Sequence, residues 1–337
     1  MEEHLASGAA NQHPVVVVAR VDKPPPLLPE SESGARYVFA SNEKELRLAF
    51  SEAEVLFAWN FAMGFGDPAV FRNTFADAHK LRWIHTAGVG VERLLFPDLV
   101  ASRVVLTNSG GVYEHTMAEY TLMLMLQMAK DAVRTWEDQR AHKWNFRRVE
   151  TLEGRTLLIV GAGPIARSIA RLARAFRMEI IGVARTRRDG DADFGTVYPS
   201  SDLLLVVGRA DYVVLLTPLT QETTGLIGRA TFSRMKPSAR LINLGRGPLV
   251  DQWAFLEAIR GGKIGGAALD VYWDEPLPPT HPVWDLPNVI VSPHMAGDVT
   301  DTHERFVRGF LKNLERWQAG LPLEYVIDKT LGFRTSG

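Results

Sequence analysis

Leu157-Leu158-Ile159-Val160-Gly161-Ala162-Gly163-Pro164-Ile165-Ala166 runs an apolar strand into a glycine turn and the start of a helix. Ile180-Ile181-Gly182-Val183-Ala184-Arg185-Thr186-Arg187-Arg188 is a second apolar strand that ends in a basic cluster. Together they form the strand–turn–helix–strand unit that holds the pyrophosphate of a dinucleotide. Gly161 lets the chain turn out of the strand, and Gly163 lets the backbone approach the phosphates. A helix predicted from Pro164 to Phe176 directs its first amides and the positive end of its dipole at them. Pro164 suits a first helical turn, where its missing N–H is not needed. Ala166 takes the third position of the fingerprint, where only close helix–strand packing is at stake. Ile165, Ile169, Leu172 and Phe176 give this helix an apolar face.

A binder of NAD usually carries Asp or Glu about twenty residues after the glycine turn, to accept from the ribose 2′-OH. Here the second strand ends in Ala184, followed by Arg185, Thr186, Arg187 and Arg188. A carboxylate would repel a 2′-phosphate, and this stretch offers none. Arginines give a phosphate forked, charge-assisted bonds, each contributing about 1.5–3 kcal/mol. The expected cofactor is therefore NADP(H) in preference to NAD(H), with NAD(H) still usable.

A chain of 337 residues has room for two domains. With 46% hydrophobic and 23% charged residues, its composition is that of an ordinary globular protein. A net charge of −1 leaves no electrostatic footprint for nucleic acid. The absence of cysteine excludes disulfides and thiolate chemistry and suits a reducing compartment. No apolar run reaches transmembrane length, and no metal is expected. Residues 1–13 are polar and acidic, unlike a secretory signal, so a frayed tail and a cytoplasmic location are expected.

Ahead of the glycine turn, short apolar runs alternate with helical patterns. Pro14-Val15-Val16-Val17-Val18-Ala19 reads as a buried strand, and a loop with Pro24-Pro25-Pro26 follows. Further strands are predicted near Tyr37–Phe39, Val55–Phe57, Trp83–His85 and Val104–Leu106, with helices near 42–52, 68–78 and 91–96. One long helical stretch is predicted over 113–142, apolar at Met117, Tyr120, Met123, Leu124, Met128 and Val133. After the dinucleotide unit, strands are predicted near Tyr212–Leu216, Arg240–Asn243, Gly266–Asp270 and Val289–Val291, and helices near 248–260 and 300–319. This alternation gives an α/β fold class with two doubly wound parallel-sheet domains. A nucleotide sheet beginning near Thr156 leaves a separate sheet before it, and the last helix lies too far on to extend that nucleotide sheet. The expected division is 1–108 with 299–337 as a substrate domain and 109–298 as the dinucleotide-binding domain, with the ligand cleft between them.

Three later segments carry reactive residue types in loops or at strand ends, where such sheets bind ligands. They are Ile242-Asn243-Leu244-Gly245-Arg246-Gly247-Pro248-Leu249-Val250-Asp251, then Ala268-Leu269-Asp270-Val271-Tyr272-Trp273-Asp274-Glu275-Pro276-Leu277-Pro278, then Asn288-Val289-Ile290-Val291-Ser292-Pro293-His294-Met295-Ala296-Gly297. In this order after this glycine turn, they resemble the D-isomer-specific 2-hydroxyacid dehydrogenase family, and the resemblance covers nearly the whole chain. It is carried by Leu152-Glu153-Gly154-Arg155-Thr156, Arg246-Gly247 with Asp251, Leu269-Asp270-Val271 with Glu275-Pro276-Leu277, and Pro293-His294. Within the family the chain looks most like the glyoxylate/hydroxypyruvate reductase branch, through Trp59-Asn60, the basic cluster after Ala184, and Pro282-Val283-Trp284. The resemblance implies a Rossmann-type nucleotide domain and a flavodoxin-like substrate domain. It also implies a homodimer formed around the long helix and Trp136–Trp144, and NAD(P)H-dependent reduction of a 2-oxo acid to the D-2-hydroxy acid.

What it implies for single residues agrees with the chemistry. Arg246 can bond a carboxylate and a ketone oxygen together. The small residues of Ala87-Gly88-Val89-Gly90 expose backbone N–H groups, a nest for the substrate carboxylate. His294, with an ordinary pKa of about 6.5, would protonate the developing alkoxide as a general acid, and Glu275 would favour its protonated form. By family position, Leu216-Thr217-Pro218 lies near the adenosine and phosphates, and Asn243-Leu244-Gly245 lies beside the nicotinamide. Asp270 would accept from the carboxamide NH₂, Thr116 would reach the nicotinamide side, and Trp59 would wall the substrate pocket. Two positions depart from the family pattern. Ala184 replaces the usual acid, and Glu92-Arg93 stand where many members carry Asp-Asn, which puts the support behind the carboxylate loop in doubt. The alternatives are a formate dehydrogenase-like enzyme, against which Glu275 argues, and an NAD(H)-sensing corepressor-like binding protein, against which the basic cluster argues.

Overall fold

The computed structural model describes residues 14–19, 28, 34–59, 69–91 and 94–334. The expectations for residues 1–13, Pro24-Pro25-Pro26, Asn60 and Glu92-Arg93 lie outside the described residues. The chain divides into two compact units, Met1–Val112 with Val299–Gly337 and Tyr113–Asp298.

The first unit is built on five parallel strands: β1 (Val15–Ala19), β2 (Arg36–Ala40), β3 (Val55–Ala58), β4 (Trp83–Thr86) and β5 (Val105–Asn108), in the order β2-β1-β3-β4-β5. That is the flavodoxin-type order. Every residue of β3 and β4 is buried; β3 accordingly reads as a continuous apolar run, whereas β4 also buries the polar His85 and Thr86. Leu46 and Phe50 of α1 (Glu43–Phe50), Phe71 of α2 (Ala69–Phe75) and Leu99 of α3 (Pro97–Ala101) share one core with Leu56, Ile84 and Leu106. Phe57 and Trp83 instead stack on Phe310, from the last helix Thr302–Gln318. Of the helix expected near 91–96, residues 92–93 lie outside the described residues, and the Leu94 N–H closes a helical turn onto Val91 O at 2.8 Å; the regular helix that follows is α3. Phe96 precedes Pro97 and is extended (φ −107°, ψ 158°), because the proline ring disfavours a helical residue before it. The chain end is pinned by Lys329, whose ammonium donates to the carbonyls of Leu99, Ser102 and Val104 at 2.9, 2.7 and 2.8 Å.

The second unit holds an eight-stranded sheet: β6 (Thr156–Val160), β7 (Glu179–Ala184), β8 (Arg188–Asp191), β9 (Gly195–Pro199), β10 (Tyr212–Leu215), β11 (Arg240–Asn243), β12 (Gly266–Leu269) and β13 (Val289–Val291). Its order is β13-β12-β11-β10-β6-β7-β9-β8, parallel except for the β8–β9 hairpin. The stretch expected as one helix over 113–142 is two, α4 (Glu114–Ala129) and α5 (Ala132–Arg140). Asp131 takes a left-handed conformation (φ 51°) between them, and the Lys130 N–H closes α4 onto Leu126 and Met128 carbonyls. Arg147 then ties the next segment to α5 through Asp138 at 3.0 Å and the Asp131 carbonyl at 2.8 Å. Met123 and Val133, expected on the apolar face, are 38% and 44% exposed.

In α6 (Pro164–Ala175) the buried residues are Ala166, Ile169, Ala170 and Ala173. Phe176 turns outward, because small residues let α6 sit close to its neighbours. The β8–β9 hairpin was not expected from the sequence. Arg167 and Arg171 of α6 hold it, donating to Asp191 and Asp193 at 2.7–3.1 Å. The bond from Arg167, helped by the Asp193 N–H and against burial, brings the Asp191 carboxyl down to about 2.

Candidate active site

Within the second unit the chain leaves β6 for β7 on one side and returns to β10 on the other, so the order reverses between β6 and β10. Ligands of open α/β sheets bind beyond the carboxyl ends of the strands at such a reversal. Gly161 stands there at φ 106°, and a Cβ on it would lie 2.6 Å from Thr217 N and 2.7 Å from Leu216 C. Only glycine lets this turn lie against the Leu216-Thr217-Pro218 backbone. Gly163 is different: its backbone is extended (φ −89°, ψ −169°), and a Cβ there would meet nothing within 4 Å. Protein packing does not demand this glycine, but a pyrophosphate lying on the backbone would. Pro164 begins α6, and Ile165 packs against the apolar core beneath the turn. These residues fit a dinucleotide.

The basic cluster is more constrained than its sequence suggests. Ala184 ends β7 opposite Pro199. After Arg185 and Thr186, Arg187 donates twice to Asp189 at 3.0 Å and lies over the Tyr198 ring. Arg188 donates through Nη2 to the Ala162 carbonyl, inside the glycine turn, at 3.0 Å. Among the described residues, its buried Nε has no hydrogen-bond partner, and it lies 3.6 Å from Asp191. The reading that no carboxylate stands beside this cluster is thus corrected. The hairpin folds Asp189 and Asp191 back onto it.

The loop after β11 presents Arg246. Asn243 is buried and closes the turn from both ends of its amide, accepting from Gly245 N at 3.1 Å and donating to Arg246 O at 2.9 Å. Leu244 is buried between them, and Arg246 Nη1 donates to Gly245 O at 2.8 Å. A Cβ on Gly247 would stand 2.0 Å from the Tyr272 carbonyl group, so a glycine there lets the arginine loop touch the chain leaving β12. Asp251 caps α7 (Gln252–Arg260), accepting from Ala254 N at 2.7 Å.

Glu275 and His294 form a pair. One carboxylate oxygen of Glu275 accepts from Tyr272 N at 2.9 Å, and the other lies 2.8 Å from His294 Nδ1. With Nδ1 donating to Glu275, Nε2 is the ring atom left to serve a substrate. The hydrogen bond to Glu275 raises the His294 pKa above the ordinary histidine value, against burial and the nearby Arg246 charge. Burial pushes Glu275 up, but the bonds from His294 and Tyr272 N outweigh it and hold the carboxyl below its ordinary value.

His294 itself is left-handed (φ 53°), a conformation uncommon outside glycine and one that needs support. Asp270 supplies that support. Its carboxylate accepts from Met295 N at 3.0 Å, Ala296 N at 2.9 Å and Ser292 Oγ at 2.6 Å. Tyr272 braces the same loop, its hydroxyl accepting from Ser292 N at 3.0 Å. The sequence places Asn243 beside the nicotinamide, and its visible bonds are to the backbone of the arginine loop. It gives no role to Tyr272 or Ser292, because a hydroxyl that meets a backbone amide, or a carboxylate at the far end of the loop, leaves no signature in the sequence. Thr116, in the first turn of α4, is buried, with its hydroxyl 3.2 Å from the carbonyls of Tyr113 and Gly297.

In the first unit, Ala87-Gly88-Val89-Gly90 follows β4. Among the described residues, none accepts from the amides of Val89 and Gly90. A Cβ on Gly88 would meet only Gly90 O, at 3.9 Å. Asn108 donates to Val89 O at 2.7 Å and fixes the loop from β5. Trp59 is buried, edge-on to Phe57, His303 and Phe306, a core setting within this unit. Among the described residues, no cluster of His, Asp and Glu could hold a metal ion, and no helix is long and apolar enough to cross a membrane.

Residues 122–296 match the family model for the NAD binding domain of D-isomer specific 2-hydroxyacid dehydrogenases. The chain is 34% identical to a glyoxylate reductase of Korarchaeum cryptofilum, over 78% of this chain and 81% of the relative. It is 36% identical to a glyoxylate/hydroxypyruvate reductase B of Citrobacter koseri, over 70% and 74%. Among solved structures, it is similar to an NADPH-dependent glyoxylate/hydroxypyruvate reductase of Sinorhizobium meliloti in complex with NADP and sulfate. That match has a TM-score of 0.80 and 27% identity, covering 95% of this chain and 100% of the other. By sequence and fold, the chain belongs to the D-isomer specific 2-hydroxyacid dehydrogenase family, as an NAD(P)-dependent oxidoreductase.

Proposed function

We propose that the enzyme reduces a small 2-oxo acid of the glyoxylate or hydroxypyruvate type to the D-2-hydroxy acid, with NADPH preferred over NADH. The observation that carries this reading is the 2.8 Å His294–Glu275 pair, with His294 raised and Arg246 close enough to oppose it. When bound, the reduced nicotinamide supplies the hydride for the carbonyl carbon. Arg246 holds the carboxylate and polarises the ketone, the amides of the Ala87–Gly90 loop serve the same carboxylate, and His294 Nε2 delivers the proton to the forming alkoxide. Glu275 keeps that proton in place at neutral pH. Asp270, besides holding the His294 loop, keeps lone pairs for a carboxamide, and Leu244 lines the nicotinamide side.

The NADPH preference rests on Arg185 and Arg187. Arg187 and Asp189 are both more than half exposed, so water screens their mutual hold. A doubly charged 2′-phosphate, bonded in a forked and charge-assisted way, competes for the same arginine. We place the enzyme in the cytoplasm, as its cysteine-free sequence suits, and as a homodimer. The dimer reading is supported by Trp136 at 60%, Phe146 at 86% and Trp144 at 100% exposure along α5 and the segment after it. NADPH oxidation over a panel of 2-oxo acids, repeated with NADH, tests the reaction. Turnover of none of them sinks it, and a higher kcat/KM with NADH sinks the cofactor preference alone.

A further inference from the structure

His85 sits on β4, two residues before the Ala87–Gly90 loop, and no step above uses it. It is fully buried, ringed by Phe57, Trp83 and Phe310 with ring centres 5.6–6.0 Å away. Both ring nitrogens are nevertheless engaged. Nδ1 lies 2.8 Å from Thr107 Oγ1, and Nε2 lies 3.3 Å from Ser109 Oγ.

Donor accounting selects one tautomer. Trp83 Nε1, which can only donate, bonds Thr107 Oγ1 at 2.8 Å. The Thr107 hydroxyl can then donate to His85 Nδ1 at 2.8 Å or to Ile84 O at 3.4 Å, and the shorter contact is the stronger. Ser109 Oγ donates to Thr86 O at 3.0 Å, so it accepts from a hydrogen on His85 Nε2. The result is a directed chain, from Trp83 to Thr107 to His85 to Ser109 to the Thr86 carbonyl. Ser109 also reaches the loop through its backbone, its N–H donating to Gly88 O at 3.3 Å.

We propose that His85 is a positioning residue for the anion-binding loop, holding it through Ser109 as the neutral, Nε2-protonated tautomer. Among the described residues, three aromatic rings and two hydroxyls surround it and none offers a counter-charge to an imidazolium, so the loop is held alike across the working pH range. This rests on the reading of Ala87–Gly90 as the seat of the substrate carboxylate. A loop loosened at Ser109 would lose affinity for the acid and leave the cofactor and the proton donor untouched.

The test is steady-state kinetics on the full-length enzyme with His85→Leu, His85→Gln, Ser109→Ala and Gly88→Val, beside ring-nitrogen NMR of the unaltered protein. His85→Leu and Ser109→Ala are expected to raise KM for the 2-oxo acid about tenfold, the loss of roughly one net hydrogen bond. Their kcat and their KM for NADPH are expected to stay within about twofold. His85→Gln, whose amide can place an N–H near Nε2, restores most of the affinity. The NMR spectrum should show Nε2–H, with no titration from about pH 5 to 8. An Nδ1–H tautomer, a ring that titrates in that range, an unmoved substrate KM, or equal rises for substrate and cofactor overturns the proposal. The NMR result decides it even if the leucine variant fails to fold. Gly88→Val separates the two readings. If it leaves substrate KM unchanged, the carboxylate seat is wrong. If it raises KM while His85→Leu and Ser109→Ala do not, only the role of His85 is wrong.

Discussion

His294 and His85 lie in different units, and each has Nδ1 2.8 Å from an oxygen, donating to a carboxylate in His294 and accepting from a hydroxyl in His85. Their ionisation goes opposite ways. Beside the Glu275 carboxylate, His294 is raised, whereas burial takes His85 down to about 3. The oxygen facing His294 carries charge, and the one facing His85 is a hydroxyl that can donate as well as accept. A hydroxyl in an aromatic box cannot repay the desolvation of a cation, while a carboxylate can. The same residue type thus becomes a proton donor in one place and a fixed strut in the other.

The most forceful way to break the comparison is to remove the donor. His294→Ala is expected to lower kcat for 2-oxo acid reduction by about 10²–10⁴, with NADPH binding retained. Near-normal turnover, measured by NADPH absorbance, would leave the histidine without its chemical role. Removing the charge instead of the ring gives a smaller effect. In Glu275→Gln the raising bond is lost, so the His294 pKa falls and the protonated fraction at neutral pH falls with it. The pH–rate profile for reduction should move toward lower pH. An unmoved profile would mean that the carboxylate does not set the ionisation of the donor.

These residues differ in how openly the sequence displays them. The β6–α6–β7 unit is legible because its signals are local: an apolar run, two glycines and a proline within ten residues. Arg246, Glu275 and His294 are legible as reactive types in a fixed order. The β8–β9 hairpin is not, since Arg188-Asp189-Gly190-Asp191 carries no apolar alternation and is held by arginines of α6 that lie earlier in the chain. The break between α4 and α5 is hidden for a similar reason. It turns on a left-handed Asp131 whose carbonyl is bonded by Arg147, sixteen residues later. Asp270 looks like a cofactor contact, yet its visible work is on the backbone of the His294 loop, and a one-letter code does not record which amides a carboxylate will meet.

A third pair, charged on both sides and more than half exposed, extends the comparison to the surface. Arg187 and Asp189 meet in water, so their mutual hold is weak and a phosphate can compete for the arginine. Arg187→Ala is expected to lower kcat/KM with NADPH by about tenfold to a hundredfold, the worth of one charged hydrogen bond, and to change that with NADH by less than about twofold. Equal losses with both cofactors would assign Arg187 to the hairpin rather than to the 2′-phosphate.

The finest difference lies in stability against pH, where the two histidines act with opposite sign. For His294 the folded pKa is raised. Its contribution is therefore complete below the ordinary value of 6.5 and is lost as pH rises through the folded pKa. For His85 the folded pKa is about 3. Below pH 6.5 the unfolded chain binds a proton that the folded protein refuses, and stability falls by about 1.4 kcal/mol for each pH unit. Between about pH 6.5 and 5, His294 adds no slope, and Glu275, held below its ordinary 4.5, stays ionised. Denaturant unfolding of the unaltered protein should thus weaken with acid across this window. His85→Gln should weaken the trend, leaving the part due to His281, which burial also lowers, and His294→Ala should leave it in place. If His294→Ala flattens it instead, the buried ring is not the neutral one, and the contrast between the two histidines fails.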